Sequence, residues 1–307
     1  QLLLTGKHGN KIVRTAHSIW QSFISKPKIF WAVAPSFAIR FSRAQYKVLT
    51  VHDLRPFLDA SGDSFIVTLY RKIAFTQAIK AADQIICVSH RTFDDVKQLF
   101  PNSITKLTVI ALSGERANVT SNVVLQADAD GGSSQVPKVA VIAHEHNKQA
   151  HRLLAVTELL KAEVVFNFLF GNHAPSWMNQ LVEKENVIVS GFLSDEEYIA
   201  SLSQASAVIM LSNFEGFGIP IVEAQRLQVP VVISDDRALL EVASSDAQVV
   251  FKEDSSEEIV QKILSAVRLK CNPITAGKYD LRTWDDVASE TLTIFNQVTP
   301  AQKFLVS

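Results

Sequence analysis

The chain has 307 residues, a net charge of −1, 47% hydrophobic and 20% charged side chains, 11 Gly and 10 Pro. This length suits two domains, and the composition excludes a disordered, collagen-like or low-complexity chain. The charge is uneven: residues 1–57 hold nine basic side chains (Lys7, Lys11, Arg14, Lys26, Lys28, Arg40, Arg43, Lys47, Arg55) against Asp53, a net +8 that leaves −9 for residues 58–307.

In chain order, residues 1–5 read as a strand. Residues 10–25 follow as an amphipathic helix with Ile12, Val13, Ala16, Ile19, Trp20, Phe23 and Ile24 on one stripe. Strands are predicted at 29–33 and 47–51, a helix at 64–82, and a buried β-branched strand at 84–88. Ser89 is placed to cap the next helix, and 107–111 is a further strand. Residues 112–135, with Ser113-Gly114 and Gly131-Gly132-Ser133-Ser134, break the pattern and read as a linker. Alternation then resumes: strand 138–143, helix 148–160, strand 164–170, helix 177–183, strand 186–190 and helix 195–205. Strand 207–211, helix 220–227, strand 230–233 and helix 256–269 complete it.

Strand–helix alternation on both sides of a linker predicts the α/β class, with two Rossmann-like domains of parallel strands and a cleft between them. The first domain is expected over 1–135, linker included, and the second over 136–284. Ligands in such sheets bind at the carboxyl ends of the strands. No apolar run reaches the ~18–20 residues that span a bilayer. Cys87 and Cys271 read as reduced thiols of a cytoplasmic protein, and no signal-peptide pattern opens the chain, so none is expected. The basic segment suits an anionic partner, either a phosphorylated substrate or an anionic membrane surface, or else is scattered solubilising charge. The aromatic-interleaved motifs of single-strand binders are absent, so no nucleic-acid partner is expected.

The chemistry concentrates in Leu211-Ser212-Asn213-Phe214-Glu215-Gly216-Phe217-Gly218-Ile219-Pro220-Ile221-Val222-Glu223. A buried strand runs through a Gly-rich turn into a helix whose start carries Pro220. Such a helix start presents free N–H groups and a positive dipole end, the physical basis of a phosphate site. Two carboxylates there, Glu215 and Glu223, suit hydroxyl groups of a sugar and a ribose. Their spacing alone also fits a loop acid and a surface helix residue. His144 and His146 have a spacing that raises a metal, but no third ligand accompanies them.

Together with Thr50-Val51-His52-Asp53-Leu54, Ala82-Asp83-Gln84-Ile85-Ile86-Cys87-Val88-Ser89, Asn147-Lys148-Gln149-Ala150-His151-Arg152-Leu153-Leu154 and Ser190-Gly191-Phe192, this block resembles the retaining GT-B glycosyltransferases of family 4. That family includes sucrose synthase, glycogen-synthase-like enzymes and bacterial mannosyltransferases. The resemblance implies a hexosyltransferase acting on a nucleotide-diphosphate sugar, with GDP-mannose favoured over UDP- and dTDP-sugars, and a glycan or lipid-linked acceptor. It implies that Glu223 accepts the ribose hydroxyls and Glu215 contacts the transferred sugar. The backbone of Gly216, Phe217 and Gly218 holds the sugar and diphosphate. Lys148 neutralises the leaving diphosphate, Gly191 and Phe192 lie against the base, His52 hydrogen-bonds the donor sugar, and Arg91 is a second cation. It implies neither cofactor nor metal, a cytoplasmic enzyme suited to the inner face of the membrane, and a terminal helix over 285–307 returning to the first domain.

Three departures stand out. The opening Gln1-Leu2-Leu3-Leu4-Thr5-Gly6-Lys7-His8-Gly9-Asn10 lacks the family's Gly-rich start. Ala111-Leu112-Ser113-Gly114 replaces an Asn-Gly turn, and Ala143-His144-Glu145-His146 replaces a Gly-Arg segment, so the second phosphate cation is unassigned, with His144 and Arg152 as candidates. The shortened amino end keeps an alternative open: a non-catalytic nucleotide-sugar-binding or scaffold subunit.

Overall fold

The computed structural model describes residues 26–59, 64–116, 136–143, 148–170, 176–269 and 275–298. The expected strand at 1–5, the helix at 10–25, most of the linker, His144, His146 and Cys271 lie outside them. The chain divides into two compact units, 1–111 with 285–307, and 112–284.

The first unit is a parallel sheet in the order β1-β2-β3-β4, formed by Ile29–Ala32, Tyr46–Val51, Gln84–Cys87 and Leu107–Val109. Helices α1 (Ala38–Phe41), α2 (Arg55–Leu58), α3 (Phe65–Ala81) and α4 (His90–Leu99) connect the strands. Side chains alternate between the two faces of a strand, and each face here has its own cover. Leu49, Val51, Ile85 and Cys87 pack with Ala78 and Ile79 of α3 and Val96 of α4. Val48 and Ile86, on the other face, pack with Val287, Ile294 and Phe295 of the last helix, Trp284–Val298. Burial pushes the Cys87 thiol up to about 12, so it stays protonated. Ser89 caps α4 as expected, accepting from the Thr92 N–H at 3.0 Å.

The second unit holds six parallel strands in the order β10-β9-β8-β5-β6-β7. In chain order these are β5 (Lys138–Ile142), β6 (Val165–Leu169), β7 (Val187–Ser190), β8 (Ala207–Met210), β9 (Val231–Ser234) and β10 (Gln248–Val250). The chain builds outward from β5 through β6 to β7, then returns to the other side of β5 with β8. The order therefore reverses between β5 and β8, and the crevice at their carboxyl ends is where such sheets bind ligands. Helices α5 (Leu153–Leu159), α6 (Asn179–Val182), α7 (Asp195–Ser203), α8 (Ile219–Arg226), α9 (Arg237–Val242) and α10 (Ser256–Leu269) cover the sheet. The last helix, Trp284–Val298, is α11. A stack of Phe166, Phe168 and Phe170 fills one face, with Phe168 and Phe170 centroids 5.9 Å apart and Trp177 against both.

The two parallel-sheet halves expected from alternation are present. The helix expected from 148 starts only at Leu153, because Gln149 adopts a left-handed φ of 38° and 150–152 form a tight 3₁₀ turn. Pro220 is the second residue of α8 rather than its first, since Gly218 is the cap. The expected helix at 177–183 reduces to a 3₁₀ turn and the four residues of α6. The short elements α1, α2, α9 and β10 escape the sequence reading, being too brief to show a period.

Phe168 is fully buried, so Phe168→Ala is expected to lower stability by about 3–5 kcal/mol. A urea titration checks this, and an unchanged midpoint would show that the stack does not anchor the sheet.

Candidate functional site

The site grows from the two strand ends that flank the order reversal. After β5 the chain reaches Lys148, whose side chain is 4% exposed. After β8, the loop 211–218 carries Glu215, and Lys148 Nζ lies 2.5 Å from Glu215 Oε1. A lysine this deeply buried is rare unless it is paired, and the pair earns little net stability because both ions lose their water. What the fold gains is a buried cation held against a part-buried carboxylate at the ligand edge of the sheet.

The loop is anchored on both sides of Glu215. Phe214 and Phe217 are buried, and Phe217 packs on Tyr279 with ring centroids 5.5 Å apart. The Glu215 N–H donates to Asp236 Oδ2 at 3.3 Å, while Asp236 Oδ1 caps α9 by accepting from the Ala238 and Leu239 N–H groups. Gly218 turns the chain into α8 with φ 103°, where an added Cβ would stand 2.7 Å from Leu239 Cδ2. As a glycine cap it brings no side chain to the first turn, so the positive end of α8 is available to an anion.

One turn into α8, Glu223 is buried and doubly held. Its Oε1 accepts from Arg116 Nε at 2.6 Å and its Oε2 from the Tyr198 hydroxyl at 3.1 Å. Arg116 also pairs with Asp195 and lies over the Tyr198 ring, 4.5 Å from its centroid. The surface-helix reading of Glu223 therefore fails. Arg116 and Tyr198 escape the sequence reading: Arg116 falls in the 112–135 linker, and nothing in the predicted helix 195–205 singles out Tyr198. The signal was Gly114. An added Cβ there would meet Val222 Cγ1 at 2.8 Å and the Glu223 N at 2.9 Å, so the backbone passes tightly over α8 and delivers Arg116 to Glu223.

Gly191 and Phe192 follow β7 directly, and Phe192 is 73% exposed, so it is not a core residue. Arg152 donates to the carbonyls of Phe251, Lys252 and Asp254, a structural use that removes it as the second phosphate cation. The structure thus gathers Lys148, Glu215, Gly216, Phe217, Gly218 and Glu223 on the β5–β8 edge, with Gly191 and Phe192 at the end of β7. His52 and Arg91 belong to the other unit. His52 is exposed at the end of β2, with Nε2 3.0 Å from the Val33 carbonyl. Arg91, in the first turn of α4, donates from Nε to Asp95 at 2.6 Å. Among the described residues no three His, Cys, Asp or Glu side chains converge as a metal site would need.

Residues 129–278 match the family described as glycosyl transferases group 1. The O-antigen chain mannosyltransferase RfbU of Salmonella typhimurium is 26% identical over 213 residues, 68% of this chain and 57% of the relative. The MMP alpha-(1->4)-mannosyltransferase of Mycolicibacterium hassiacum is 25% identical over 229 residues, 70% of this chain and 54% of the relative. The chain spans little more than half the length of these two curated relatives. The solved structure of Anabaena Alr3699/HepE in complex with UDP-glucose aligns with a TM-score of 0.66 at 16% identity, over 92% of this chain and 82% of that one. The likeness to such structures establishes the fold as GT-B.

Gly218→Ala forces an L-residue into a left-handed φ against Leu239 and is expected to cost about 1–3 kcal/mol. The urea midpoint reads this directly, and an unshifted midpoint would contradict the strained entry into α8.

Proposed function

We propose that this chain, whose residues 129–278 match the glycosyl transferases group 1 family, moves a hexose from a nucleoside-diphosphate sugar to a hydroxyl of a glycan or lipid-linked acceptor, with retention. The observation that carries this is the pair of buried Lys148 with part-buried Glu215 at the strand-order reversal, with the buried Glu223 one turn into the helix that follows the Glu215 loop. In the reaction, the bond from the anomeric carbon to the diphosphate oxygen breaks and a bond to the acceptor oxygen forms. The acceptor proton passes to the departing diphosphate. Negative charge grows on that diphosphate, and a cation already in position stabilises it without reorganising. Lys148 and the start of α8 are placed to do this, while Glu215 faces the positive charge developing on the sugar. Glu223 takes the ribose hydroxyls, and the exposed Phe192 supplies a face for the base. His52 keeps the sugar-binding role implied by the resemblance, and Arg91 that of an added cation. No metal or cofactor enters this reading.

GDP-mannose is the favoured donor, supported by two relatives that are mannosyltransferases. A UDP-sugar is the competing choice, since the HepE structure holds UDP-glucose. Action at the cytoplasmic face of an anionic membrane belongs to the same reading. No helix among the described residues is long and apolar enough to cross a membrane. The first half of α3 nonetheless exposes Phe65 (81%), Ile66 (78%), Leu69, Tyr70 and Ile73. The helix carries Arg71, Lys72 and Lys80 and no acid, the combination that seats a surface helix among anionic headgroups.

Transfer and hydrolysis assayed with GDP-mannose, UDP-glucose and a dTDP-sugar should show turnover with the first. Lys148→Met is expected to lower kcat roughly 10²–10³-fold. Donor binding without turnover would favour the non-catalytic reading, and an unchanged kcat would remove Lys148 from the chemistry. Separately, co-sedimentation with phosphatidylglycerol vesicles should fall in Phe65→Asp/Ile66→Asp while nucleotide binding holds. Retained sedimentation would contradict docking through α3.

A further inference from the structure

Glu223 is a buried carboxylate, and a buried carboxylate left without hydrogen-bond partners is costly. The Arg116 guanidinium on Oε1 and the Tyr198 hydroxyl on Oε2 counter that. Burial, then the neighbouring Glu223 charge, raises the Tyr198 phenol well above its usual range, so it remains an O–H donor. A carboxylate offers about four acceptor positions, of which these two partners take two. The remaining two are a match for a pair of vicinal hydroxyls. Three separate segments meet to make this arrangement: the close pass at Gly114 brings in Arg116, α7 supplies Tyr198 and Asp195, and α8 supplies Glu223.

Resting on the assignment of Glu223 to the nucleoside ribose, we propose that Arg116 and Tyr198 are positioning residues that hold the Glu223 carboxylate in one rotamer, and so set the preference for ribo- over deoxyribonucleotides. Arg116 locks the carboxylate from one side and is itself tied to Asp195. A merely structural pair would change stability and the affinity for all nucleotides alike. A positioning pair changes the ratio between nucleotides that have the 2′-hydroxyl and those that lack it.

The test is calorimetry on the full chain with GDP and 2′-deoxy-GDP, and with UDP and 2′-deoxy-UDP. The wild type should prefer the ribonucleotide by roughly 10–100-fold, the worth of one hydrogen bond to a charged acceptor. In Arg116→Met that ratio should fall towards one, with deoxynucleotide affinity close to wild type. Arg116→Lys should restore part of the ratio, and Tyr198→Phe should lower it without removing a charge, which keeps the test open if Arg116→Met folds poorly. A full ratio in both Arg116→Met and Tyr198→Phe, or in Tyr198→Phe alone where Arg116→Met does not fold, overturns the proposal. If the wild type binds neither ribonucleotide, the donor-site reading itself fails and this inference falls with it.

Discussion

Two opposite charges inside a protein must be paired or be given up, and the second unit is organised around one such pair. Lys148 and Glu215 come from the ends of β5 and β8, the two neighbours between which the strand order reverses. That topology brings residues 67 positions apart to the same crevice. The local backbone follows from the same requirement. Gln149 takes a left-handed φ just after Lys148, which delays α5 until Leu153, and Gly218 takes one before α8, which turns the helix start towards the loop. Phe214 and Phe217 bury themselves on either side of Glu215, so the carboxylate cannot move far without exposing aromatic surface.

The pair explains why charge is kept where an apolar contact would be cheaper. Buried ion pairs contribute little to stability and are often matched or beaten by hydrophobic replacements. In the proposed transfer, a buried cation, a part-buried carboxylate and a helix start at one edge would form a prepared electrostatic environment for an anionic leaving group and a cationic sugar carbon. The Glu223 assembly next to it repeats the logic with different parts. There an arginine and a tyrosine hold a carboxylate that has acceptor capacity left over, which suits hydroxyl groups rather than phosphate.

The parts legible in the sequence are those that depend on local pattern. Buried strands such as 84–88 and 207–211 announce themselves as apolar β-branched runs, and Ser89 announces a helix start. The Glu215 and Glu223 block is legible because strand, glycines, proline and helix follow in unbroken order. Arg116 and Tyr198 were not, because their meaning lies in a contact across 107 and 25 residues respectively, which no local period reports. Arg152 misled for the complementary reason: a cation near the site in sequence turns its guanidinium to the 251–254 turn instead. The start of α5 was displaced because a left-handed glutamine has no sequence signature of its own.

The central claim is that Lys148 rests on Glu215 until a nucleoside diphosphate arrives and then serves the phosphate. A crystal structure of the chain with bound GDP tests this most directly. The account predicts Lys148 Nζ within hydrogen-bonding distance of a β-phosphate oxygen, with the phosphates at the start of α8 and the ribose hydroxyls on Glu223. A nucleotide seated elsewhere, with Lys148 still paired to Glu215, would contradict it.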